Sequence, residues 1–470
     1  MNSLELSPEA YREFLMRVAQ LCADYAAAIP NLPAFPAATS GAGTRELFSI
    51  AAPEEGGGIA VVDSLRDVLA HSRPPSPRFF GYVLGSGEPV AAAADLVASL
   101  ANQNVTAWRS APAAVTIERT VVRWIAEAIG CSGFSGSLTG GGSSANLMAL
   151  AMAREAKLPA NEDGVTPGVF YASEEVHMSV PKAVALLGFG RKRLRLIPVD
   201  DRFRMRVDAL QRAMEEDAGS GLRPVAVIAS AGTVNTGAID PLEAVAAVAR
   251  RHGAWFHVDG AYGALAAMAA PASFPGLPLA DSLSLDPHKW LYQPVDCGCL
   301  LYRDAAAARN AFSHDGDYAK VLNDDPLESF AFFEESLELS RRFRALKLWL
   351  SLRYHGLQAY RASILKDLRQ ARLLAERIAA HPELELFAPV ELSVVCFRYA
   401  GSVPEERRNG VNAAILKRVI QRGKVFISNA TLRGRFALRA CIVNHRTRDD
   451  DALAVVEETL ASARDLAVES

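Results

Sequence analysis

The sequence predicts an α/β chain built on a mostly parallel sheet with helices on both faces. Between about Pro77 and Arg344, short β-rich runs alternate with Ala-rich amphipathic stretches, the grammar of strand–helix repeats. The strand runs are almost continuously apolar, as in Val225–Ser230 and Trp255–Val258, which marks strands buried on both faces. Length sets the scale: 470 residues, half of them hydrophobic, bury a large core and divide into two or three domains.

In chain order, Ser7-Pro8-Glu9 reads as a helix start with Pro in the first turn. Tyr11, Phe14, Leu15, Val18, Leu21, Cys22 and Tyr25 then recur at helical spacing. Pro30 to Gly58 is rich in Pro, Gly and Ala and predicts an extended connection, with a second helix over Val61–Ala70. The central region predicts strands at Val169–Ala172, Arg193–Pro198, Val225–Ser230, Trp255–Val258, Ser282–Leu285 and Cys299–Tyr302. Its helices fall at Ser144–Glu155, Ser179–Leu187, Val207–Glu216 and Pro241–Arg251. After Arg344 a long helix (Ala345 to His381) precedes a strand (Leu392–Tyr399), a helix (Val411–Arg422), a strand (Phe436–Ile442) and a last helix (Asp450–Leu466). The expected division is therefore an N-terminal helical segment (1–75), a large domain (76–345) and a small α+β domain (346–470).

Composition narrows the function. Lys plus Arg is 50 and Asp plus Glu is 53, a net charge of −3, which gives no footprint for nucleic acid or an anionic membrane. No apolar run is long enough for a spanning helix. The acidic N-terminus lacks a secretory pattern, and six Cys at no disulfide spacing suit the cytoplasm. Cys297 and Cys299 form a lone C-x-C without a second pair, so no metal site is expected.

Three local features carry chemistry. Thr139-Gly140-Gly141-Gly142-Ser143-Ser144-Ala145-Asn146 opens a helix. Glycines let backbone N–H groups converge at the positive helix end, a cradle for phosphate. A packing turn uses the same residues, and neither a Walker lysine nor a G-x-G-x-x-G spacing is present. Phe256-His257-Val258-Asp259 places a carboxylate at the end of a buried strand, where open α/β sheets bind ligands; a strand-end Asp also caps turns. Asp286-Pro287-His288-Lys289-Trp290-Leu291 sets a lysine among apolar neighbours. Desolvation there frees the amine as a nucleophile, against the alternative of a snorkelling surface lysine. A phosphate cup, an anionic partner for a ring nitrogen and a nucleophilic lysine together suit pyridoxal phosphate.

With these blocks the chain resembles the group II pyridoxal-phosphate-dependent amino-acid decarboxylases of the aromatic-L-amino-acid type. The resemblance runs over nearly the whole chain and includes Pro77-Arg78-Phe79-Phe80-Gly81-Tyr82, Ala231-Gly232-Thr233 and Ser340-Arg341-Arg342-Phe343-Arg344. It implies the fold type I architecture (aspartate aminotransferase-like), a homodimer with sites at the subunit interface, an N-terminal dimerisation arm, and pyridoxal 5'-phosphate as cofactor. It implies Lys289 as the Schiff-base lysine, Asp259 as the partner of the ring nitrogen, and His177 as the ring-stacking histidine. Gly142, Ser143 and Ser144 would contact the phosphate, with Thr233 near the ring and His288 beside the phosphate or a mobile loop.

Tyr318, 29 residues after the lysine, matches the tyrosine that supports protonation of the substrate carbon. Relatives that make aldehydes replace it or the histidine, so their retention favours amine formation. Phe79, Phe80 and Tyr82 match the aromatic pocket wall. Asn104 and Thr106 fall where animal members carry larger apolar residues lining the neighbouring subunit's site. The implied substrate is an aromatic L-amino acid such as Tyr, DOPA, Phe or Trp. An aromatic acetaldehyde synthase, or a decarboxylase of a non-aromatic amino acid, is the alternative. Asp286 would repel a phosphate and so would instead orient a donor. Arg341, Arg342 and Arg344 carry the family signature but also suit ion pairs at the domain junction.

Overall fold

The structure is a computed structural model that describes residues 4–36, 41–314 and 325–469. Three helices lead the chain: α1 (Pro8–Ala28), α2 (Gly41–Phe48) and α3 (Leu65–His71). Ser7 caps α1 by accepting the Ala10 N–H at 3.2 Å, and Pro8 occupies the first turn, as the sequence suggests. α2 falls inside the stretch read as an extended connection. Its Thr44–Phe48 segment suits a helix, and the preceding glycines and alanines mask it.

The large domain begins with α4 (Pro89–Ala101) and α5 (Pro112–Ala128). Neither is assigned from sequence. α4 is mostly Ala, Val and Leu, so its polar face is too thin to show a period. Its start is nonetheless built locally: the Glu88 carboxylate accepts from Val90 N at 2.8 Å and Ala91 N at 2.7 Å. Then follow β1 (Ser135–Thr139), α6 (Gly142–Lys157), β2 (Gly168–Ser173), α7 (Ser179–Leu186), β3 (Leu194–Ile197), α8 (Val207–Gly219), β4 (Arg223–Ser230), α9 (Leu242–Arg251) and β5 (Trp255–Asp259). β6 (Ser282–Leu285), α10 (Pro287–Trp290), β7 (Gly298–Tyr302) and α11 (Ala305–Phe312) complete it. The six strands expected here are all present, with ends shifted by at most two residues.

The seven strands lie in the order β1-β7-β6-β5-β4-β2-β3. β7 runs antiparallel to both neighbours and the remaining pairs are parallel. Two hydrophobic layers cover the sheet. Phe170, Ala226 and Ile228 face α6 and α7; Tyr171, Val227 and Phe256 face the opposite layer with Leu210 and Val245. Burial on both faces explains the apolar strand runs. β1 escapes sequence detection because Ser-Gly-Ser has little β propensity. Its partner defines it: a Cβ at Gly136 would lie 2.3 Å from the Leu300 carbonyl.

Beyond α12 (Ala345–Ala379), which bends at Gly356 (φ 76°), come β8 (Leu384–Leu386), β9 (Val394–Tyr399), α13 (Glu405–Arg422), β10 (Ser428–Leu432), β11 (Arg435–Cys441) and α14 (Asp449–Glu469). The four strands form an antiparallel sheet, order β10-β11-β9-β8. It packs with α12, α13 and α14 over Ile364-side and Leu374-side positions of the long helix, around Val395, Phe397 and Leu438. Phe80 N donates to Phe426 O at 2.7 Å, and Cys441 N donates to Phe80 O at 2.9 Å. The segment Phe79–Phe80 is thereby stitched to the small domain.

All six cysteines are free thiols. Among the described residues no helix is long and apolar enough to cross a membrane, and no group of His, Cys, Asp and Glu is arranged to hold a metal.

Candidate active site

Parallel pairing puts the carboxyl ends of β2 to β6 on one edge of the sheet, and the loops there enclose a cavity of about 590 Å³. β1 runs into the glycine loop and α6, β2 into His177, β4 into Gly232–Asn235, and β5 ends on Asp259. β6 runs into Asp286–Lys289. Gly142, Ser143, Ser144, His177, Thr233, Asp259, His288, Lys289 and Tyr82 therefore line one space, although up to 207 positions separate them in sequence.

The first turn of α6 leaves the N–H groups of Gly142 and Ser143 without helical partners, whereas Ser144 N and Ala145 N donate to Gly141 O at 3.0 and 3.1 Å. Gly141 sits at φ 143°, a conformation that disfavours side chains. At Gly142 a Cβ would lie 2.7 Å from the Ala261 Cβ and 3.0 Å from Asp286 Oδ2. The cradle is thus kept open by glycine. Lys289 Nζ lies 2.9 Å from Asp286 Oδ2, so the donor that Asp286 orients is the lysine amine. The other oxygen, Asp286 Oδ1, is buried without a hydrogen-bond partner among the described residues. His288 donates Nδ1–H to the Cys297 carbonyl at 2.8 Å, and burial pushes its pKa down.

Elsewhere on the cavity wall, Asp259 is 7% exposed. Its Oδ2 accepts from Asn146 Nδ2 at 2.9 Å; its Oδ1 accepts from Ser284 Oγ and Ala261 N, both at 3.2 Å. The pairing of β5 with β6 sets this up, with Asp259 opposite Ser284 and His257 opposite Ser282. His177 holds Ser179 Oγ at 2.8 Å through Nδ1. Burial lowers the His177 pKa, while the charges of Asp259 and Asp286 raise it and that of Lys289 lowers it. Thr233 Oγ1 meets Thr236 Oγ1 at 2.9 Å and accepts from Ala238 N at 3.2 Å, which shapes the loop after β4.

Other expected residues are placed elsewhere. Phe80 is fully buried in the small-domain core, where its backbone hydrogen bonds to Phe426 and Cys441 place it. Phe79 stacks on Phe426 with ring centroids 4.7 Å apart. Neither lines the cavity; of the three aromatics only Tyr82 does, carried there by a positive φ of 61°. Asn104 and Thr106 are also outside this chain's cavity. Asn104 Oδ1 accepts from Arg341 N at 2.8 Å, and the Thr106 carbonyl accepts from Phe332 N at 2.8 Å. Tyr318 lies outside the described residues. Sequence reasoning missed Asn146, although it stands inside the glycine motif. It also missed Arg439 of β11, which reaches the cavity and donates to the carbonyls of Val234 (2.5 Å), Asn235 (3.2 Å) and Tyr82 (3.2 Å).

The signature arginines form ion pairs. Arg344 holds Asp296 and Glu338, each at 2.9 Å, and Arg342 approaches Asp95 at 3.7 Å. Arg341 pairs with Glu118 at 2.5 Å, both side chains essentially without solvent. It also donates to the carbonyls of Leu138 (2.9 Å) and Val105 (3.0 Å). One guanidinium thus ties the Asn104–Thr106 segment to the strand that feeds the glycine cradle. Arg341→Met leaves a buried unpaired carboxylate and is expected to lower unfolding free energy by about 3–5 kcal/mol. Adding Glu118→Gln should recover part of that loss. Denaturant titration of the apo proteins checks both, and equal midpoints for wild type and Arg341→Met would contradict the expectation.

The cavity fits pyridoxal phosphate: a glycine cradle for an anion, a lysine amine and a buried carboxylate line the same space. Comparison with known proteins agrees. Residues 46–400 match the family described as the pyridoxal-dependent decarboxylase conserved domain. The chain is 36% identical over 397 residues to an aromatic-L-amino-acid decarboxylase of Bacillus atrophaeus, covering 83% of this chain and 82% of that protein. It is 30% identical over 387 residues to the phenylacetaldehyde synthase of Petunia hybrida, covering 78% and 76%. The crystal structure of Oryza sativa TDC with PLP and tryptamine superposes with a TM-score of 0.91 at 28% identity, over 99% of both chains. The fold class, the cofactor and the reaction class expected from sequence are those of these relatives, and the chain belongs to the pyridoxal-dependent decarboxylase family, whose members are carbon–carbon lyases acting on amino acids.

Proposed function

We propose that the protein removes the α-carboxylate of an aromatic L-amino acid of the Tyr, DOPA, Phe or Trp class, giving the amine and carbon dioxide. The observation that carries this reading is the convergence of Lys289, Asp259 and the glycine cradle on one cavity. The names of the relatives, and Tyr82 at the cavity wall, support an aromatic side chain.

When bound, pyridoxal phosphate supplies a conjugated ring that accepts the electron pair left by the departing carboxylate. The chain's own residues do the rest. Backbone N–H groups at Gly142 and Ser143 and the hydroxyls of Ser143 and Ser144 would hold the phosphate, with His288 alongside. Lys289 would hold the cofactor through its aldehyde, and Asp259 would serve the ring nitrogen, where its charge would stabilise a proton. His177 would pack on the ring near the leaving carboxylate, Thr233 would border the ring, and Tyr318 would deliver a proton to the substrate α-carbon. Asn104 and Thr106, which lie outside this chain's cavity, serve the partner's site in a homodimer. The cytoplasm is the proposed compartment, where six free thiols stay reduced.

A second reading is an aldehyde synthase, an oxygen-consuming reaction; the similarity to the Petunia hybrida protein favours it. Purified protein with cofactor and a panel of L-amino acids separates the two by measured amine, aldehyde, peroxide and carbon dioxide. Amine with carbon dioxide is the expected result. Aldehyde with peroxide would favour the second reading, and turnover confined to non-aromatic substrates would overturn the substrate class. Tyr318→Phe is expected to divert product from amine toward aldehyde. An unaltered ratio would remove Tyr318 from proton delivery.

A further inference from the structure

Asn146 stands at the junction of a hydrogen-bond relay whose donors and acceptors are fixed by chemistry. Trp255 Nε1 is a donor only and gives its hydrogen to Ser282 Oγ at 2.8 Å. Ser282 Oγ lies 2.9 Å from His257 Nδ1, and His257 Nε2 lies 2.9 Å from Asn146 Oδ1. The Asn146 amide has one consistent orientation, because a carboxylate accepts: Nδ2 gives one hydrogen to Asp259 Oδ2 at 2.9 Å. Its second hydrogen goes to Ser179 Oγ, also at 2.9 Å. Oδ1 is therefore an acceptor, and His257 Nε2 must carry a proton. Burial pushes His257 down to about 4. The ring is thus neutral near pH 7, and Nδ1 takes the Ser282 hydrogen.

The other branch ends on His177. Ser179 Oγ accepts from Asn146 and so has its own hydrogen for His177 Nδ1 at 2.8 Å. The Ser179 backbone N–H approaches the same nitrogen at 3.2 Å. Nδ1 accepts twice, which leaves the proton of the neutral ring on Nε2. Strand alternation makes the arrangement possible: Trp255, His257 and Asp259 share one face of β5, the face covered by α6.

We propose that Asn146, aligned by His257, is a positioning residue that fixes the Asp259 carboxylate and the His177 tautomer through one amide group. The carboxylate and the imidazole are then set together before any ligand arrives. Their use in decarboxylation rests on the function proposed above; the proton pattern itself does not.

The test is nitrogen-15 NMR of histidine side chains in the apo protein near pH 7, with His177 assigned by its loss in His177→Gln. Wild type should show His177 with a protonated Nε2 and a bare Nδ1. Asn146→Ala and Ser179→Ala should each give a mixture of tautomers. His257→Gln, which retains a donor toward Asn146, should keep the wild-type pattern, whereas His257→Phe should lose it. In the holoenzyme, Asn146→Ala should lower kcat by about tenfold or more with KM changed by less than about twofold. That is the size of effect seen when a partner that orients a functional histidine is removed at metal sites. Ser179→Ala leaves the Asn146–Asp259 bond in place and should lower kcat less.

A wild-type His177 protonated on Nδ1 would overturn the proposal, as would an unchanged tautomer in both Asn146→Ala and Ser179→Ala. Should Asn146→Ala fail to fold, the wild-type tautomer and Ser179→Ala still decide. Failure of every amino acid in the substrate panel would overturn the assigned reaction and leave the tautomer result standing.

Discussion

Lys289→Ala is expected to yield a folded protein that holds no cofactor covalently and decarboxylates at ~10⁴-fold or more below the wild-type rate. Loss of a covalent catalytic residue registers on this scale because the remaining binding groups cannot replace the bond. The side chain is 17% exposed and lines the cavity, so its removal widens an existing space rather than emptying the core, but it takes from the buried Asp286 a partner at 2.9 Å. The apo protein should therefore fold with a melting temperature below that of the wild type. The visible absorbance of lysine-bound cofactor should vanish, and radiolabelled carbon dioxide release should fall with it. Unimpaired release would end the assignment of Lys289.

Asp259→Asn is expected to lower kcat by about 10²–10³-fold, equivalent to roughly 2.7–4 kcal/mol, the usual cost of removing one preorganised electrostatic contact. The substitution keeps the shape and removes the charge. The amide can still accept from Ser284 Oγ or Asn146 Nδ2, which the carboxylate meets at 3.2 Å and 2.9 Å. The deficit therefore measures charge rather than packing. Steady-state kinetics checks it, with Asp259→Ala as the larger lesion. An Asp259→Asn enzyme with wild-type kcat would show that the ring nitrogen needs no anionic partner here.

The chemistry was legible in sequence where it is written contiguously. The glycine loop, His257-Val258-Asp259 and Asp286 to Lys289 each sit at a strand end, and one topological rule brings strand ends together. What spans distant segments was not legible. Asn146 lies inside a motif visible from the start, yet its task depends on His257, 111 positions away, and on the register that sets Ser282 beside that histidine. Phe79 and Phe80 mislead for a related reason. An aromatic run suits a pocket wall, but hydrogen bonds to Phe426 and Cys441 turn Phe80 into the small-domain core. β1 shows the converse: Ser-Gly-Ser carries no strand signal of its own, and only the close approach of β7 makes it one.

Lys289 and Asp259 are mounted on the seven-stranded sheet, whereas Arg439 belongs to β11 and Tyr82 follows a segment stitched to it. On the proposed function, reactivity and selectivity thus have separate foundations, bridged by the hydrogen bonds that Arg439 gives to the carbonyls of Val234 and Asn235. Breadth of accepted side chains is consequently open to change by edits in the minor lobe, with the reacting groups left untouched.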